Sequence, residues 1–270
     1  DMKFLIVVPR FVESFGQFHH FPLGLGYIAS ALKNAGHEVF GLNLNQHFGP
    51  VAILVADAVR KDRIEACATG SLSPYLPQIR ETFEAARAAN PDILNICGGG
   101  VVSSDPNIAP DMMDMDIGIV GEGEQTIVEA VEVYQSGGDL AEVKGIVFKN
   151  PEGKNVRTGT RATEMDLAKI AWPDYDVLGV EPYLEMQTPH DNYFFECQPE
   201  SRPRSIDMIT SRSCPFSCTF CFHPVGKVYR ERPLDEFFAE LEHLIEKYAI
   251  NMVIIVDELF SLRKARLMEF

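Results

Sequence analysis

The sequence predicts an α/β protein whose first part is a doubly wound, flavodoxin-like (Rossmann-like) parallel sheet. Two observations carry this prediction. Short apolar runs rich in β-branched residues alternate with amphipathic segments of helical period as far as residue 135, and glycine-rich loops follow several of the runs. Such runs are typical of strands buried on both faces of a sheet, and their alternation with helices is typical of parallel crossover units.

The boundaries of the elements follow from this period and from the residues that interrupt it. Residues 3–8 (KFLIVV) form the first predicted strand, which ends at Pro9. The helix that follows has Pro22 near its start and Gly36 just past its end, positions at which these residue types are favoured. Further strands are predicted at residues 37–44, 64–68, 92–97 and 117–120, and further helices at residues 51–60, 74–89 and 125–135.

The pattern changes after residue 142, which predicts a chain in three parts. Residues 143–158 favour a β-hairpin, and residues 159–204 are rich in proline, acidic and aromatic residues, as expected for a connector. A second α/β unit is predicted from Ser205, with strands at residues 206–210 and 252–256 and helices at residues 234–248 and 262–270. The predicted division is therefore 1–142, 143–204 and 205–270.

Charge and composition narrow the possible functions. The sequence has 24 basic and 39 acidic residues, and residues 1–200 hold 29 acidic against 14 basic ones, which accounts for the whole net charge of −15. Such an acidic surface argues against nucleic-acid binding. No apolar run approaches about 18 residues and no signal sequence is recognisable, so we expect a cytoplasmic protein without a membrane span.

Topology alone selects a binding site in the first part. Ligands of open parallel sheets bind beyond the carboxyl ends of the strands. This rule selects four loops, at residues 9–21, 69–73, 98–104 and 121–124. We therefore expect a ligand where these loops meet.

The glycines near this site allow two other interpretations. Gly24, Gly26 and Ala29 fit the G-x-G-x-x-A pattern of dinucleotide-binding turns, but more than a dozen residues separate Val8 from Gly24, whereas that pattern directly follows its strand. Alternatively, the glycines serve only turns and helix packing in a flavodoxin-like domain.

Three of the six cysteines are clustered. Cys214, Cys218 and Cys221 form a CxxxCxxC sequence in the loop after a predicted strand, where three soft ligands can hold a metal or an iron–sulfur cluster with one open iron site. The alternative is a structural zinc site with His223 as the fourth ligand. The scattered Cys67, Cys97 and Cys197 have no such context, and Cys97 is expected to be a buried core thiol.

The CxxxCxxC loop, with aromatic Phe220 before its last cysteine, resembles the signature of the radical S-adenosylmethionine (SAM) enzymes. The resemblance implies a [4Fe-4S] cluster held by Cys214, Cys218 and Cys221, with SAM on the fourth iron and Phe220 among the cofactor-binding residues. It also implies that acids at the end of the second strand, Asp257 and above all Glu258, help to bind SAM, although paired acids at a strand end are often a solvated helix cap.

The flanking residues resemble the branch of that family with an N-terminal cobalamin (vitamin B12)-binding domain. Residues 210–215 (TSRSCP) are similar to its T-S-R-G-C-P sequence, with Ser213 in place of glycine. The glycine-rich loops also match, and glycine allows the backbone to approach a wide, flat corrin. The cobalamin-binding residues implied are Gly24, Ser73, Gly98, Gly99, Gly100, Gly121, Glu122, Gly123 and Glu124.

One cobalt-binding pattern is missing. Some cobalamin proteins bind cobalt through the histidine of an Asp-x-His-x-x-Gly motif, which this sequence lacks. His19, His20 and His47 are therefore treated as ordinary loop histidines.

This resemblance implies methyl transfer to an unactivated carbon by means of a 5′-deoxyadenosyl radical and methylcobalamin. The alternatives are oxidative cyclisation or rearrangement without methylation, and a cobalamin- or metal-binding module with no reaction of its own. A small-molecule or natural-product substrate is implied, with an electron donor such as flavodoxin or ferredoxin, and no catalytic side chain is assigned. Because the family's partial TIM barrel needs about six strands and two are predicted, we expect an N-terminal fragment that is inactive alone.

Overall fold

In a computed structural model, which describes residues 1–12, 17–189, 191 and 202–270, a seven-stranded sheet has the order β2-β1-β3-β4-β5-β6-β7. Its first five strands pair in parallel, which confirms the doubly wound α/β prediction. The strands are β1 (Lys3–Val8), β2 (Glu38–Asn43), β3 (Ala66–Gly70), β4 (Leu94–Gly98), β5 (Ile117–Ile119), β6 (Ile146–Lys149) and β7 (Asn155–Arg157).

The predicted hairpin consists of β6 and β7, and it also extends the main sheet. Strand β6 pairs antiparallel with β5, so that Gly118 lies opposite Val147. Strand β7 then pairs antiparallel with β6. The sheet is therefore mixed rather than wholly parallel, because the hairpin covers the edge that β5 would otherwise expose.

Helices cover both faces of the sheet because consecutive strand side chains point to opposite faces. In β1, Phe4 and Ile6 belong to a core that includes α1 and α6, whereas Leu5 and Val7 belong to a second core with α2 and α3. The helices are α1 (Leu23–Asn34), α2 (Val51–Asp62), α3 (Leu76–Ala89), α4 (Gly100–Ser103), α5 (Ala109–Met112), α6 (Glu124–Gln135), α7 (Val180–Glu185), α8 (Leu234–Tyr248) and α9 (Lys264–Glu269). None of the helices in these ranges combines the length and apolar content needed to cross a bilayer.

A second, two-stranded parallel sheet contains β8 (Ser205–Met208) and β11 (Met252–Ile255), joined through α8. Between them, the short strands β9 (Ser211–Arg212) and β10 (Arg230–Glu231) pair antiparallel. They close the base of a loop, residues 213–229, that contains the three clustered cysteines and is here named the cysteine loop. Ile206 and Met208 of β8 pack in the same core as α1 and α6.

Residues 172–178 lie between the two sheets and contact both sides. The backbone N–H of Asp174 donates to the carbonyl of Gly26 in α1 at 3.0 Å. A Cβ at Gly41 in β2 would lie 1.7 Å from the carbonyl oxygen of Val177, so this close approach requires glycine. On the other side, the indole N–H of Trp172 donates to Glu236 of α8.

The scattered cysteines have no site of their own. Cys67 and Cys97 are fully buried, and burial raises the pKa of the Cys67 thiol to about 12 and also raises the pKa of the Cys97 thiol. Both thiols are therefore inert core groups, as expected for Cys97. Cys197 lies outside the described residues.

Candidate functional site

A cavity of about 480 Å³ lies at the carboxyl ends of β3, β4 and β5, and all four loops selected from topology contribute to its wall. Its lining includes Phe11, Gly24, residues 69–72, Gly98, Gly99, Gly100, Ser103, Gly121, Glu122, Gly123 and Glu124. Apolar side chains of α1 and of the strands complete this wall, among them Leu25, Ile28, Ile96 and Ile119. Of the residues that the resemblance implies for cobalamin binding, only Ser73 does not line this cavity.

The glycines at the cavity have two different roles. A Cβ at Gly24 or at Gly121 would have no neighbour within 4 Å, so these two positions leave open space. At Gly99, by contrast, φ is +78° and a Cβ would lie 3.0 Å from the carbonyl oxygen of Ser71. Gly99 therefore serves the fold. Gly121 has open space but a φ of +80°, so its backbone also favours glycine, whereas Gly24 has neither a positive φ nor a close neighbour.

The loops around the cavity are joined to one another by hydrogen bonds. The backbone N–H of Val101 donates to the carbonyl of Ser71 at 2.9 Å. The backbone N–H of Gly121 donates to Oγ of Ser103 at 3.0 Å. These bonds tie the loops at residues 69–73, 98–104 and 121–124 to one another.

The two carboxylates of the GEGE sequence at residues 121–124 are already paired. Glu122 accepts two hydrogen bonds from Arg230, at 2.7 and 2.9 Å, and one from Arg212 at 3.3 Å. Glu124 accepts one from Arg212 at 2.6 Å. Burial alone would lower the pKa of Arg212, but these carboxylates and the nearby Tyr27 raise it, so the guanidinium stays charged.

The cysteine loop lies beside the same cavity. Pro224 and Val225, just after Cys221, line it, and a Cβ at Gly100 would lie 3.5 Å from the ring of Phe222. Cys214 is half-buried, whereas Cys218 and Cys221 are exposed. Within the described residues, no three His, Cys, Asp or Glu side chains are gathered as a metal site, so the loop supplies the donors without the coordination geometry.

Two other residues of the cysteine loop are singled out by the sequence, Ser213 and Phe220. Ser213, in place of the glycine of the similar enzymes, has φ of +66°, a left-handed conformation that favours glycine. Phe220 is 91% exposed, and it touches neither the cavity nor the core.

The paired acids that follow β11 have different surroundings. Asp257 accepts hydrogen bonds from the backbone N–H and hydroxyl of Thr210, at 2.7 and 2.6 Å, and from the hydroxyl of Ser211 at 2.7 Å. Glu258 lies 3.5 Å from Nδ1 of His223. Asp257 therefore joins the ends of β8 and β11, whereas Glu258 takes no part in that contact.

The three loop histidines, His19, His20 and His47, have different surroundings. His20 contacts the buried carboxylate of Asp207 in β8 at 3.0 Å, which raises the pKa of the imidazole, whereas burial lowers the pKa of His19. His47 does not line the cavity.

Sequence reasoning missed the roles of Asp207, Arg212 and Arg230. All three are charged residues inside or next to short buried strands, a position that requires a partner. That signal shows that partners exist but does not identify them.

Comparison with known proteins agrees with this geometry. Residues 11–131 match the B12 binding domain family. Across 92% of the chain, identity is 26% to an anaerobic magnesium-protoporphyrin IX monomethyl ester cyclase of Rubrivivax gelatinosus, of which 43% is covered. Across 98% of the chain, identity is 28% to an uncharacterized methyltransferase of Pyrococcus horikoshii, of which 55% is covered. The chain thus spans about half the length of these curated relatives.

Solved structures show the same fold. The radical SAM methyltransferase TsrM of Kitasatospora setae, with cobalamin and a [4Fe-4S] cluster bound, matches 99% of this chain over 50% of its own, with a TM-score of 0.73 and 20% identity. The cobalamin-dependent SAM radical enzyme OxsB, with aqua-cobalamin and SAM bound, matches 96% of this chain over 34% of its own, with a TM-score of 0.76 and 15% identity. The chain therefore carries a B12-binding domain at residues 11–131, and its fold is that of the matching parts of TsrM and OxsB, of which it covers 50% and 34%.

Proposed function

We propose that this chain binds cobalamin in the glycine-lined cavity and a [4Fe-4S] cluster with SAM at the cysteine loop, and that the two serve methyl transfer to an unactivated carbon. The observation that carries this proposal is that the cysteine loop forms part of the cavity wall, through Pro224 and Val225. Two cofactors bound there would be neighbours, as consecutive radical steps require.

The chain's own residues fit these groups. Gly24 and Gly121 leave room for a flat ligand against the backbone, and apolar side chains such as Ile28 and Ile119 keep water from one side of it. Cys214, Cys218 and Cys221 are unpaired thiols on one loop, the donor type that iron–sulfur clusters use. Bound here, cobalamin would supply a transferable methyl group, and the cluster with SAM would supply the radical that prepares the substrate carbon.

Radical cyclisation without methyl transfer is the second candidate. The observation that favours it is the similarity to the anaerobic magnesium-protoporphyrin cyclase across 92% of the chain. Both candidates share the cavity and the cysteine loop. They differ in the bond formed at the substrate, which is a ring closure in one case and a bond to a transferred methyl group in the other.

We further propose a small-molecule substrate and a cytoplasmic electron donor such as flavodoxin or ferredoxin. TsrM has been solved with tryptophan, which is a substrate of this size. Cys218 and Cys221 are exposed, which supports the proposal because a donor could approach a cluster bound there.

Anaerobic reconstitution of the protein tests this proposal. Iron and sulfide should give a brown protein, and added cobalamin should remain with the protein through gel filtration. A colourless protein that holds zinc instead of iron, or one that releases cobalamin, would contradict it. Label transferred from the SAM methyl group to product distinguishes methyl transfer from cyclisation.

A further inference from the structure

Both stems of the cysteine loop are tied to the same loop of the cavity wall. Arg212, two residues before Cys214, contacts Glu122 and Glu124 at 3.3 and 2.6 Å. Arg230, on the returning strand, contacts Glu122 through both terminal nitrogens. These four side chains form what we name the clasp.

The clasp is shielded from solvent. The side chain of Arg230 is 1% exposed, and those of Arg212, Glu122 and Glu124 are 12 to 16% exposed. Ion pairs in such surroundings are screened little and hold defined geometry, unlike exposed pairs. Arg212 also stacks on the ring of Tyr27, with 4.8 Å between its Cζ atom and the ring centroid, and Tyr27 itself lines the cavity.

A second set of buried ion pairs lies just after β10, and it differs from the clasp. Arg232 contacts Glu236 and Glu240 of α8 at 2.5 and 2.6 Å, and its side chain is 5% exposed. Arg230 and Arg232 are thus similarly buried and similarly paired. Of the two arginines, only Arg230 contacts the loop at residues 121–124, whereas Arg232 donates to the backbone carbonyl of Ile209. Only the clasp therefore joins that loop to the cysteine loop.

We propose that Glu122, Glu124, Arg212 and Arg230 are positioning residues that transmit cobalamin binding to the cysteine loop. This inference rests on the proposed function. A ligand that contacts residues 121–124 orders their backbone, and the carboxylates then hold both arginines, and with them both stems of the cysteine loop, in one arrangement. Glu122 and Glu124 therefore act through the arginines rather than as direct ligands of cobalamin.

Coupling of this kind is reciprocal and is measurable without turnover. The experiment follows hydrogen–deuterium exchange of the cluster-free protein with and without hydroxocobalamin, in peptides that cover residues 98–104, 121–124 and 210–232. In the wild-type protein we expect exchange to slow by at least about fivefold in all three regions, the lower end of typical coupling.

The decisive variant is Arg230→Lys, and Arg232→Lys is its matched control. Lysine keeps the charge but loses the two-point contact with Glu122. In Arg230→Lys, we expect hydroxocobalamin still to slow exchange in residues 98–104 and 121–124. Exchange in residues 210–232 should instead proceed at about the rate of the ligand-free protein. Arg232→Lys should keep protection in every region. Glu124→Gln removes the negative charge that faces Arg212 while it keeps an acceptor, and it gives a milder version should Arg230→Lys fold poorly.

Two results would overturn this inference. One is wild-type protein in which cobalamin protects the cavity loops but not residues 210–232. The other is full protection of residues 210–232 in both Arg230→Lys and Glu124→Gln. Wild-type protein that retains no cobalamin would instead refute the proposed function, and the inference with it, and gel filtration reveals that case first.

Discussion

The hydroxyl of Tyr175 donates a 2.7 Å hydrogen bond to the buried carboxylate of Glu240, 65 positions away. This bond joins residues 172–178 to α8, and Glu240 also contacts Arg232 at 2.6 Å. The second sheet is therefore held against the first partly through a buried polar contact.

Replacing Tyr175 with phenylalanine should lower the free energy of unfolding by about 1–3 kcal/mol, because a buried charged acceptor loses a donor. Urea denaturation followed by circular dichroism measures the change. Tyr134→Phe, at an exposed side chain, is the control and should leave the midpoint unchanged. Equal midpoints for wild type and Tyr175→Phe would show that the bond contributes nothing.

Gly24→Leu should abolish cobalamin binding while the protein stays folded. The Cβ of the new side chain would meet no atom within 4 Å, and Gly24 lines the cavity, so the added side chain takes up space there. Gly159→Leu, at an exposed glycine with the same free surroundings outside the cavity, is the matched control. Equilibrium dialysis with hydroxocobalamin compares the two, and equal binding would place the ligand elsewhere. Gly99 is a poorer choice, since its substitution also strains the backbone.

Ser213→Gly should raise the free energy of unfolding by up to about 1 kcal/mol, because glycine adopts the left-handed conformation at φ of +66° without a steric penalty. The hydrogen bond from Arg230 to Ser213 Oγ, at 3.4 Å, is long and offsets little of this gain. Ser213→Ala retains the strain and should not stabilise. Thermal denaturation of both variants tests the prediction, which fails if alanine stabilises as much as glycine.

His20→Gln should destabilise the protein in a pH-dependent way. The hydrogen bond to Asp207 raises the pKa of His20 above 6.5, so its contribution is complete below that pH and is lost as the pH rises through the folded-state pKa. The difference in unfolding free energy between wild type and variant should therefore be largest near about pH 5.5 and shrink toward about pH 8. Burial lowers the pKa of His19, but His19 is present in both proteins, so its titration does not produce the difference between them. A constant difference across this range would contradict the assignment.

Cys218→Ala should lower the iron bound after anaerobic reconstitution to a small fraction of the wild-type amount without changing stability, because the side chain is exposed. Cys67→Ala should do the opposite. It removes a fully buried thiol, which costs about 1 kcal/mol, and leaves the iron content unchanged. Iron analysis combined with urea denaturation separates the two, and equal iron in both variants would exclude a cluster at Cys218.

The strands of four or more residues in the parallel sheets and the long helices were predictable because each has a strong local signal, whereas the two-residue β9 and β10 were not predicted. The run at Lys3–Val8 is short and apolar, and α1 has Pro22 before it and Gly36 after it. The pairing of β6 with β5 was not predictable, because a hairpin sequence does not say which sheet edge it covers. The very short α4 and α5 were missed for a related reason, since four residues carry too little period to read.

At the site, the residues were easier to predict than their roles. The strand-end rule located the cavity, since all four selected loops line it. The sequence could not show that Gly24 has open space around it whereas Gly99 packs on Ser71, because these surroundings are formed by residues distant in sequence. It likewise could not pair Glu122 with Arg230, which lies 108 positions further on.

The order β2-β1-β3-β4-β5 has a consequence for synthesis on the ribosome. All five parallel strands and the glycine loops of the cavity are encoded before residue 125, whereas Cys214 emerges about 90 residues later. At roughly 5–20 residues per second, this interval lasts about 5–20 s. The nascent chain thus completes the parallel strands of its first sheet before any clustered thiol is translated, and the carboxylates of Glu122 and Glu124 are present before Arg212 and Arg230.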